Sequence, residues 1–589
     1  MPSAYGPLPL TEVLNNPNLQ LVCPHFQRRF KWGKSHFQSL WDDLDAILDE
    51  SSEALFLGAF ILKQPEGSAF GPKTSLIIDG QQRLTTIQLL IAAASWLARE
   101  NHFERLAQKY GGFLLLDHRE IAGQPRFVPT QFDRAQFNKI LRSLKIDGAN
   151  IPFDESEPTR GTILTAFDEN LKMLETRASA HGNIEQFLEH FIDKLLNAIN
   201  VIYVEIDDRF QVNEVFDRLN RTGAPLSLAD LARNEVFRRF GANYNSPIAV
   251  SVYNDIWRPF ESSVGKEYID KLFFPYALIK DSNTTQAKAF SKLSSYWAGE
   301  LKARDGDESD AKAFAQLVVE DLNYFKPSFV AITQGIRPEG ISDELWGVIR
   351  SLYLMPAPTA IYPFVLKLLS DYLAGKFTEE YTHDALKLCE SFLVRRAFQG
   401  LEPTGLHAVF KRAFSESCAK DQSLESVAES FTSSTITFPT DEEFVKSIGT
   451  FGLYGRRISK YVLLEYERYC RKYEDLDEKL FTDKNVTIDH VMPQSISGEW
   501  LTTFGKGMKH SKYVNTWANL VLLSRKLNSL KSTASYKAAK ILVADENIFT
   551  STKQFFSRNN SWTETEMNKR SKLLEDFALT RWPKESLLR

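Results

Sequence analysis

The sequence predicts an α+β protein, mostly helical and multidomain, and three observations carry that prediction. At 589 residues the chain is too long for one hydrophobic core. Short β-branched or aliphatic runs stopped by Gly, Pro or Asp gather near residues 19–79 and again near 486–523. Between them, from about Tyr244 to Tyr454, apolar residues recur at helical spacing with few strand candidates. The expected domains are an α/β domain over 1–243, a helical middle over 244–454 and a smaller strand-and-helix module over 455–589.

Composition narrows the class. Hydrophobic residues at 43% and aromatics at 12% describe a packed globular protein rather than a disordered one. The net charge of −4 gives no hint of nucleic acid, so any DNA contact must come from a local basic patch. Cys23, Cys389, Cys418 and Cys470 form no Cys-x-x-Cys pair, which argues against zinc and fits a reducing compartment. No basic-then-apolar leader and no run of about 18 apolar residues is present, so the expectation is a cytoplasmic protein with no membrane partner.

Taken in order, Leu19 to Trp32 reads as a strand entering a turn crowded with arginine and aromatics. Phe37 to Leu48 reads as a helix with Leu40, Trp41, Leu44 and Leu48 on one face. Phe56 to Leu62 reads as a buried strand in which Gly58 permits a close approach. Leu76-Ile-Ile-Asp79-Gly80-Gln81-Gln82-Arg83 reads as a strand ending at Asp79, a turn at Gly80 and a helix beginning around Thr85. The first N–H groups of that helix, with Arg83 beside them, make a natural anion site, and Asp79 can hold a metal or a ribose. An ordinary capped helix has the same local pattern. Asn213 to Leu231 reads as a helix ending at Asn220, a glycine turn and a helix capped near Ser227, with Asn220 and Arg221 toward the same pocket. Ser391 to Phe398 contains the pair Arg395-Arg396, equally suited to pinning helices and to meeting a DNA backbone.

Near the C-terminus, Val486-Thr-Ile-Asp489-His490 is a strand delivering two polar groups at its exit, and Asn519-Leu-Val-Leu-Leu is its partner. Arg525 to Lys531 opens a helix that carries Asn528 inward. Converging Asp, His and Asn groups suit a divalent ion, and the hard oxygens favour Mg2+ (or Mn2+). From Leu501 to Ala544 there is no Asp or Glu, while Lys506, Lys509, Lys512, Arg525 and Lys526 all fall there, a basic patch suited to DNA.

The set Asp489-His490…Asn519…Asn528 resembles the His-Asn-His (HNH, ββα-metal) nuclease motif. The resemblance implies His490 as general base, Asp489 and Asn528 as metal ligands, Asn519 orienting His490, and Lys531 offsetting phosphate charge. The last ligand is Asn where many relatives have His. Asp79-Gly-Gln-Gln-Arg-Leu-Thr-Thr86, preceded by Pro24-x-Phe26-Gln27-Arg28 and followed by the pattern through Asn220, resembles the N-terminal domain of GmrSD-type, SspE-like modification-dependent restriction proteins. That resemblance implies a ParB/sulfiredoxin-like fold and hydrolysis of an NTP, GTP or ATP, with Asp79 and Arg83 catalytic. It implies a nucleotide- or modification-binding set of Phe26, Gln27, Arg28, Asp79, Gly80, Gln81, Gln82, Arg83, Thr85, Thr86, Asn220 and Arg221. Phe26 stands where relatives commonly have Tyr. Together the two resemblances imply an antiphage nuclease or nickase whose partners are phage DNA (modified or not), a nucleotide and a second copy of the chain in a homodimer. Two rivals stand beside it: a ParB-like nucleotide-dependent DNA-binding switch without cutting, and a sulfiredoxin-like reductase using Cys23.

Overall fold

The computed structural model describes the chain apart from residues 1–2, 25–26, 64–65, 68–72, 154–159, 207–226, 241–246, 266, 305, 308–309, 402–403, 473–476, 478, 505–507, 547 and 589. Packing divides it into two units, residues 1–259 with 297–317 and residues 260–296 with 318–589. The stretch 244–454 is shared between the two, and most of it lies in the unit that holds the C-terminal module. Helix predominates in the chain, and the sheets are one mixed sheet and one two-stranded sheet among the described residues.

The mixed sheet belongs to the first unit. Its strands are β1 (Ser3–Pro9), β2 (Leu19–Val22), β3 (Leu55–Lys63), β4 (Glu66–Gly67), β5 (Lys73–Asp79), β6 (Phe127–Val128) and β7 (Ile199–Ile206), in the order β1-β7-β3-β5-β2-β6 with β4 beside β5. The parallel pairing of β2 with β5 sets Val22 beside Leu76, so the segment after β2 arrives next to the turn after β5. Helix α1 (Gln81–Glu100) begins directly after Gly80, four residues before the start expected at Thr85. The reason is Gly80 itself: at φ 95° it turns strand into helix in one residue, a conformation that favours glycine. Residues Leu84 to Ala98 of α1 are buried on nearly every face, and the core of the unit closes around them. The helix expected over Phe37–Leu48 is observed as Lys34–Leu48, with Phe37, Leu40, Trp41, Leu44 and Ile47 buried. The helix capped at Ser227 is observed at Leu228–Arg238, and Ser227 Oγ accepts the Asp230 N–H at 3.2 Å. Asn220 and Arg221 lie outside the described residues.

The second unit is built on helices. In α2 (Glu379–Phe398) the two adjacent arginines have different fates. Arg395 is fully buried and donates to the Trp582 carbonyl, to Ser391 Oγ at 3.1 Å, to the Pro439 carbonyl at 3.2 Å and to Asp441 Oδ1 at 2.6 Å. Arg396 donates to the Thr437 carbonyl at 3.0 Å and lies on the wall of a cavity described below. Trp582, in the tail, is fully buried and donates to Glu390 Oε1 at 3.0 Å, so the tail is part of the core. Further along, β8 (Val486–His490) pairs antiparallel with β9 (Leu520–Ser524), placing Asp489 opposite Val521 and His490 opposite Leu520. Helix α3 (Arg525–Lys531) follows β9 without a break, capped by Ser524 Oγ accepting from the Leu527 N–H at 3.1 Å. The strand, strand and helix expected over Val486–Lys531 are therefore all present.

Arg395→Ala strips several buried acceptors of their donor at once. Removing one partner of a buried charged network costs about 3–5 kcal/mol. The urea midpoint of this unit's unfolding should fall accordingly, and Arg395→Lys should recover only part of it because an ammonium cannot reproduce the planar fork. An unchanged midpoint for Arg395→Ala would show that these bonds do not stabilise the unit.

Candidate functional site

At the turn in the first unit, most of the polar side chains hold the turn together. Gln27 is buried and its Nε2 donates to the Ile77 and Ile78 carbonyls at 2.7 and 2.9 Å. Gln81 Nε2 donates to the Arg28 carbonyl at 2.9 Å. Gln82 Nε2 donates to the Arg29 carbonyl at 3.1 Å, while its Oε1 accepts the Lys31 N–H at 2.7 Å. Thr85 and Thr86 hydroxyls donate back to the Gln81 and Gln82 carbonyls, at 2.7 and 2.9 Å. The Gln81 and Gln82 amides fasten the 28–31 segment onto the start of α1, Gln27 ties that segment to β5, and the two hydroxyls bond back within α1 itself. Phe26 lies outside the described residues.

What remains toward solvent is a small charged group. Arg83 Nη2 lies 2.9 Å from Asp79 Oδ2, with both side chains part-exposed, and Nη1 donates to the Leu57 carbonyl at 3.2 Å. A Cβ on Gly58, whose φ is 103°, would sit 2.0 Å from that Nη1, so the close approach Gly58 permits is that of the Arg83 guanidinium. Arg28 is half-buried with no ion pair among the described residues. Cys23 is buried, and desolvation pushes its thiol well above the ordinary value, which removes the nucleophilic thiolate that a reductase reading requires.

In the second unit the strand exit at His490 is tightly determined. Asn519 is fully buried and uses its whole amide: Oδ1 accepts the Met492 N–H at 2.8 Å and Trp562 Nε1–H at 3.0 Å, while Nδ2 donates to the Met492 and Val514 carbonyls at 2.9 and 2.8 Å. It therefore fixes the backbone after His490 and does not orient the imidazole, as had been expected of it. The residue that touches the ring is Asn515, whose Oδ1 lies 3.0 Å from His490 Nε2. An oxygen there accepts a proton on Nε2 and leaves the lone pair on Nδ1. Sequence reading missed Asn515, although an asparagine four positions before Asn519 was a visible signal. It missed Tyr454 too, which has no local signal. The Tyr454 ring lies 4.2 Å from the His490 ring, centroid to centroid, and its N–H donates to the Asn515 carbonyl at 3.2 Å. His490 is buried, and desolvation lowers its pKa, with the Asn515 hydrogen bond and the Asp489 charge acting in the opposite direction.

The resemblance places Lys531 against a phosphate. It is buried instead, with Nζ 2.7 Å from Asp489 Oδ2 and donating to the His490 carbonyl at 2.7 Å. Asn528 Nδ2 donates to Thr487 Oγ1 at 3.1 Å, which leaves its Oδ1 as an acceptor. Thr487 and Asp489 share one face of β8, and Asn528 and Lys531 share one face of α3. Among the described residues no three His, Cys, Asp or Glu side chains assemble into a metal cage. Asp489, one of whose carboxylate oxygens already meets Lys531, and Asn528 offer oxygens of the hard type that magnesium takes, with waters completing its shell.

Of the basic patch, Arg525 and Lys526 are exposed, and Lys512 Nζ donates to Tyr513 Oη at 2.9 Å. That hydroxyl in turn donates to Glu564 Oε1 at 2.7 Å, so part of the patch has an acidic neighbour. Lys506 and the side chain of Lys509 lie outside the described residues.

Residues 10–237 match the family model described as GmrSD restriction endonuclease, N-terminal domain, and residues 438–576 match the one described as GmrSD restriction endonucleases, C-terminal domain. No curated protein matches the chain. The first match covers the Asp79 turn and the second covers Tyr454, His490, Asn515, Asn519, Asn528 and Lys531.

The geometry separates structure from chemistry by substitution. Asn519→Ala strands four buried groups, each costing about 1–3 kcal/mol when left unpaired, and should destabilise the unit by about 3 kcal/mol or more. Asn528→Ala, which loses one part-buried hydrogen bond, should cost about 1 kcal/mol. Urea midpoints of the two variants check the order, and equal midpoints would contradict it.

Proposed function

We propose, from the premise that this chain belongs to the GmrSD restriction endonuclease family and carries both its terminal domains, that it nicks or cleaves DNA at His490 in an HNH-type, magnesium-dependent site. The observation that carries this reading is the buried His490 imidazole at a strand exit with Nε2 3.0 Å from Asn515 Oδ1, a contact that would leave Nδ1 as the basic nitrogen. Its depressed pKa keeps the ring neutral near pH 7, the form a general base needs. His490 Nδ1 would take a proton from the attacking water, and Asn515 would hold the ring in the tautomer that permits it. Lys531 is a positioning residue: it fixes Asp489 and the His490 backbone from inside the fold. Magnesium, held by Asp489 and Asn528, would supply positive charge for the leaving oxygen.

The N-terminal turn is proposed as the control element, binding and hydrolysing GTP or ATP or reading a DNA modification. Support comes from the Asp79–Arg83 pair and Arg28, charged groups at the turn that are part-exposed. A guanidinium meets a phosphate with two parallel hydrogen bonds. Among the described residues no helix is long and apolar enough to cross a membrane.

His490→Ala should slow nicking of supercoiled plasmid by about a hundred- to ten-thousand-fold with DNA binding retained, and chelating the metal should silence the wild type. Undiminished nicking by His490→Ala would remove the assignment from this site, and a wild type that binds but never cuts would favour the non-cutting switch. Arg83→Ala should lose nucleotide hydrolysis, read as phosphate release, and hydrolysis at the wild-type rate would end the proposed role of the turn.

A further inference from the structure

A cavity of ≈ 340 Å³ opens in the second unit beside the loop that carries Tyr454. Its wall contains Arg396, Arg456 and Arg457 and, among the described residues, no Asp or Glu, in a chain whose net charge is −4. Arg456 and Arg457 are exposed and form no ion pair among the described residues. The rest of the lining is largely apolar: Leu393 and Leu406 are buried, and the Phe451 ring lies 5.2 Å from the Arg456 guanidinium. Cations at the rim over an apolar and aromatic floor are the chemistry that takes a nucleotide, phosphate outside and base inside. The size lies within the range of small-ligand pockets, about 300–1,000 Å³.

The position says which nucleotide. Tyr454, whose ring packs on His490, is two residues from Arg456, at most about 7 Å of extended chain. Two stacked nucleotides cover the same distance at about 3.4 Å each. Tyr454 is itself 39% exposed, so part of it is open to a passing strand beside the imidazole. We propose that this cavity is a nucleotide subsite for the DNA strand that passes His490: Arg456 and Arg457 hold its phosphates, and the Phe451 side of the pocket receives a base. The strand's course toward His490 rests on the nuclease reading above, whereas occupancy of the pocket does not.

The test is fluorescence anisotropy of labelled duplex DNA with the full chain, in chelator so that cutting cannot intervene. For Arg456→Ala/Arg457→Ala, affinity at moderate salt should fall tenfold or more. The slope of log K against log salt should flatten by about 1.8, since each lost phosphate contact removes about 0.9. Lys420→Ala/Lys446→Ala removes two exposed cations elsewhere in the same unit and should leave the slope unchanged. The unfolding midpoint of the arginine variant should match the wild type, because both side chains are exposed. If affinity and slope do not move in the arginine variant, or move equally in the lysine control, the subsite is overturned. It is overturned as well if GTP or ATP alone fills the pocket, binding the wild type but not the arginine variant while DNA affinity stays constant. Because binding is read without cutting, a protein that never nicks would refute the nuclease reading and leave this result standing.

Discussion

One buried amide organises the C-terminal site. The four hydrogen bonds of Asn519 tie the backbone leaving β8 at Met492, the loop at Val514 and the indole of Trp562 to a single point. Asn515 follows that loop residue directly, so fixing Val514 also fixes the group that orients His490. Through the Asn515 carbonyl the same point holds Tyr454. A side chain with two donors and two acceptors, all satisfied in a dry environment, specifies one arrangement and penalises every other.

The most deeply buried cations of the second unit serve the fold. Lys531 and Arg395 are almost wholly inaccessible, and each is matched by a carboxylate and by main-chain carbonyls. Such pairs are costly to break, so they lock the geometry of what surrounds them. For Lys531 that geometry is the Asp489–His490 strand exit. Arg456, Arg457 and Arg525 are exposed, where a polyanion could reach them. At the N-terminal turn the same division holds between the glutamines, which are buried and bonded to backbone, and Asp79, Arg83 and Arg28, which reach solvent.

Local pattern carried a good part of this. Val486–His490 and Leu520–Ser524 were legible because short β-branched or apolar runs bounded by polar residues and Pro are encoded within a few residues, and Arg525–Lys531 followed from them. The start of α1 was misplaced because Gly80 opens it without a polar cap. Side-chain roles were harder, since they depend on partners distant in sequence. Gln27 bonds carbonyls about fifty residues away, and Arg83 fills the space left by Gly58. Tyr454 reaches His490 only because the chain around Gly452 pairs with Thr516. Lys531 reads as a free cation until α3 is seen to put it on the same face as Asn528. The order of the mixed sheet, with β7 inserted between β1 and β3, has no local signature either.

Cutting at this site requires His490 to act as a neutral imidazole base, and burial lowers its pKa. The direct measurement is the single-turnover nicking rate of supercoiled plasmid in magnesium, over about pH 5 to 8, the range in which histidine titrates. A base is active above its own pKa. The rate should therefore hold on a plateau at neutral pH and fall only as pH drops through a midpoint below the ordinary value of 6.5. The residual activity of His490→Ala should lack that limb. A flat wild-type profile, or the same acid limb persisting in His490→Ala, would contradict the account.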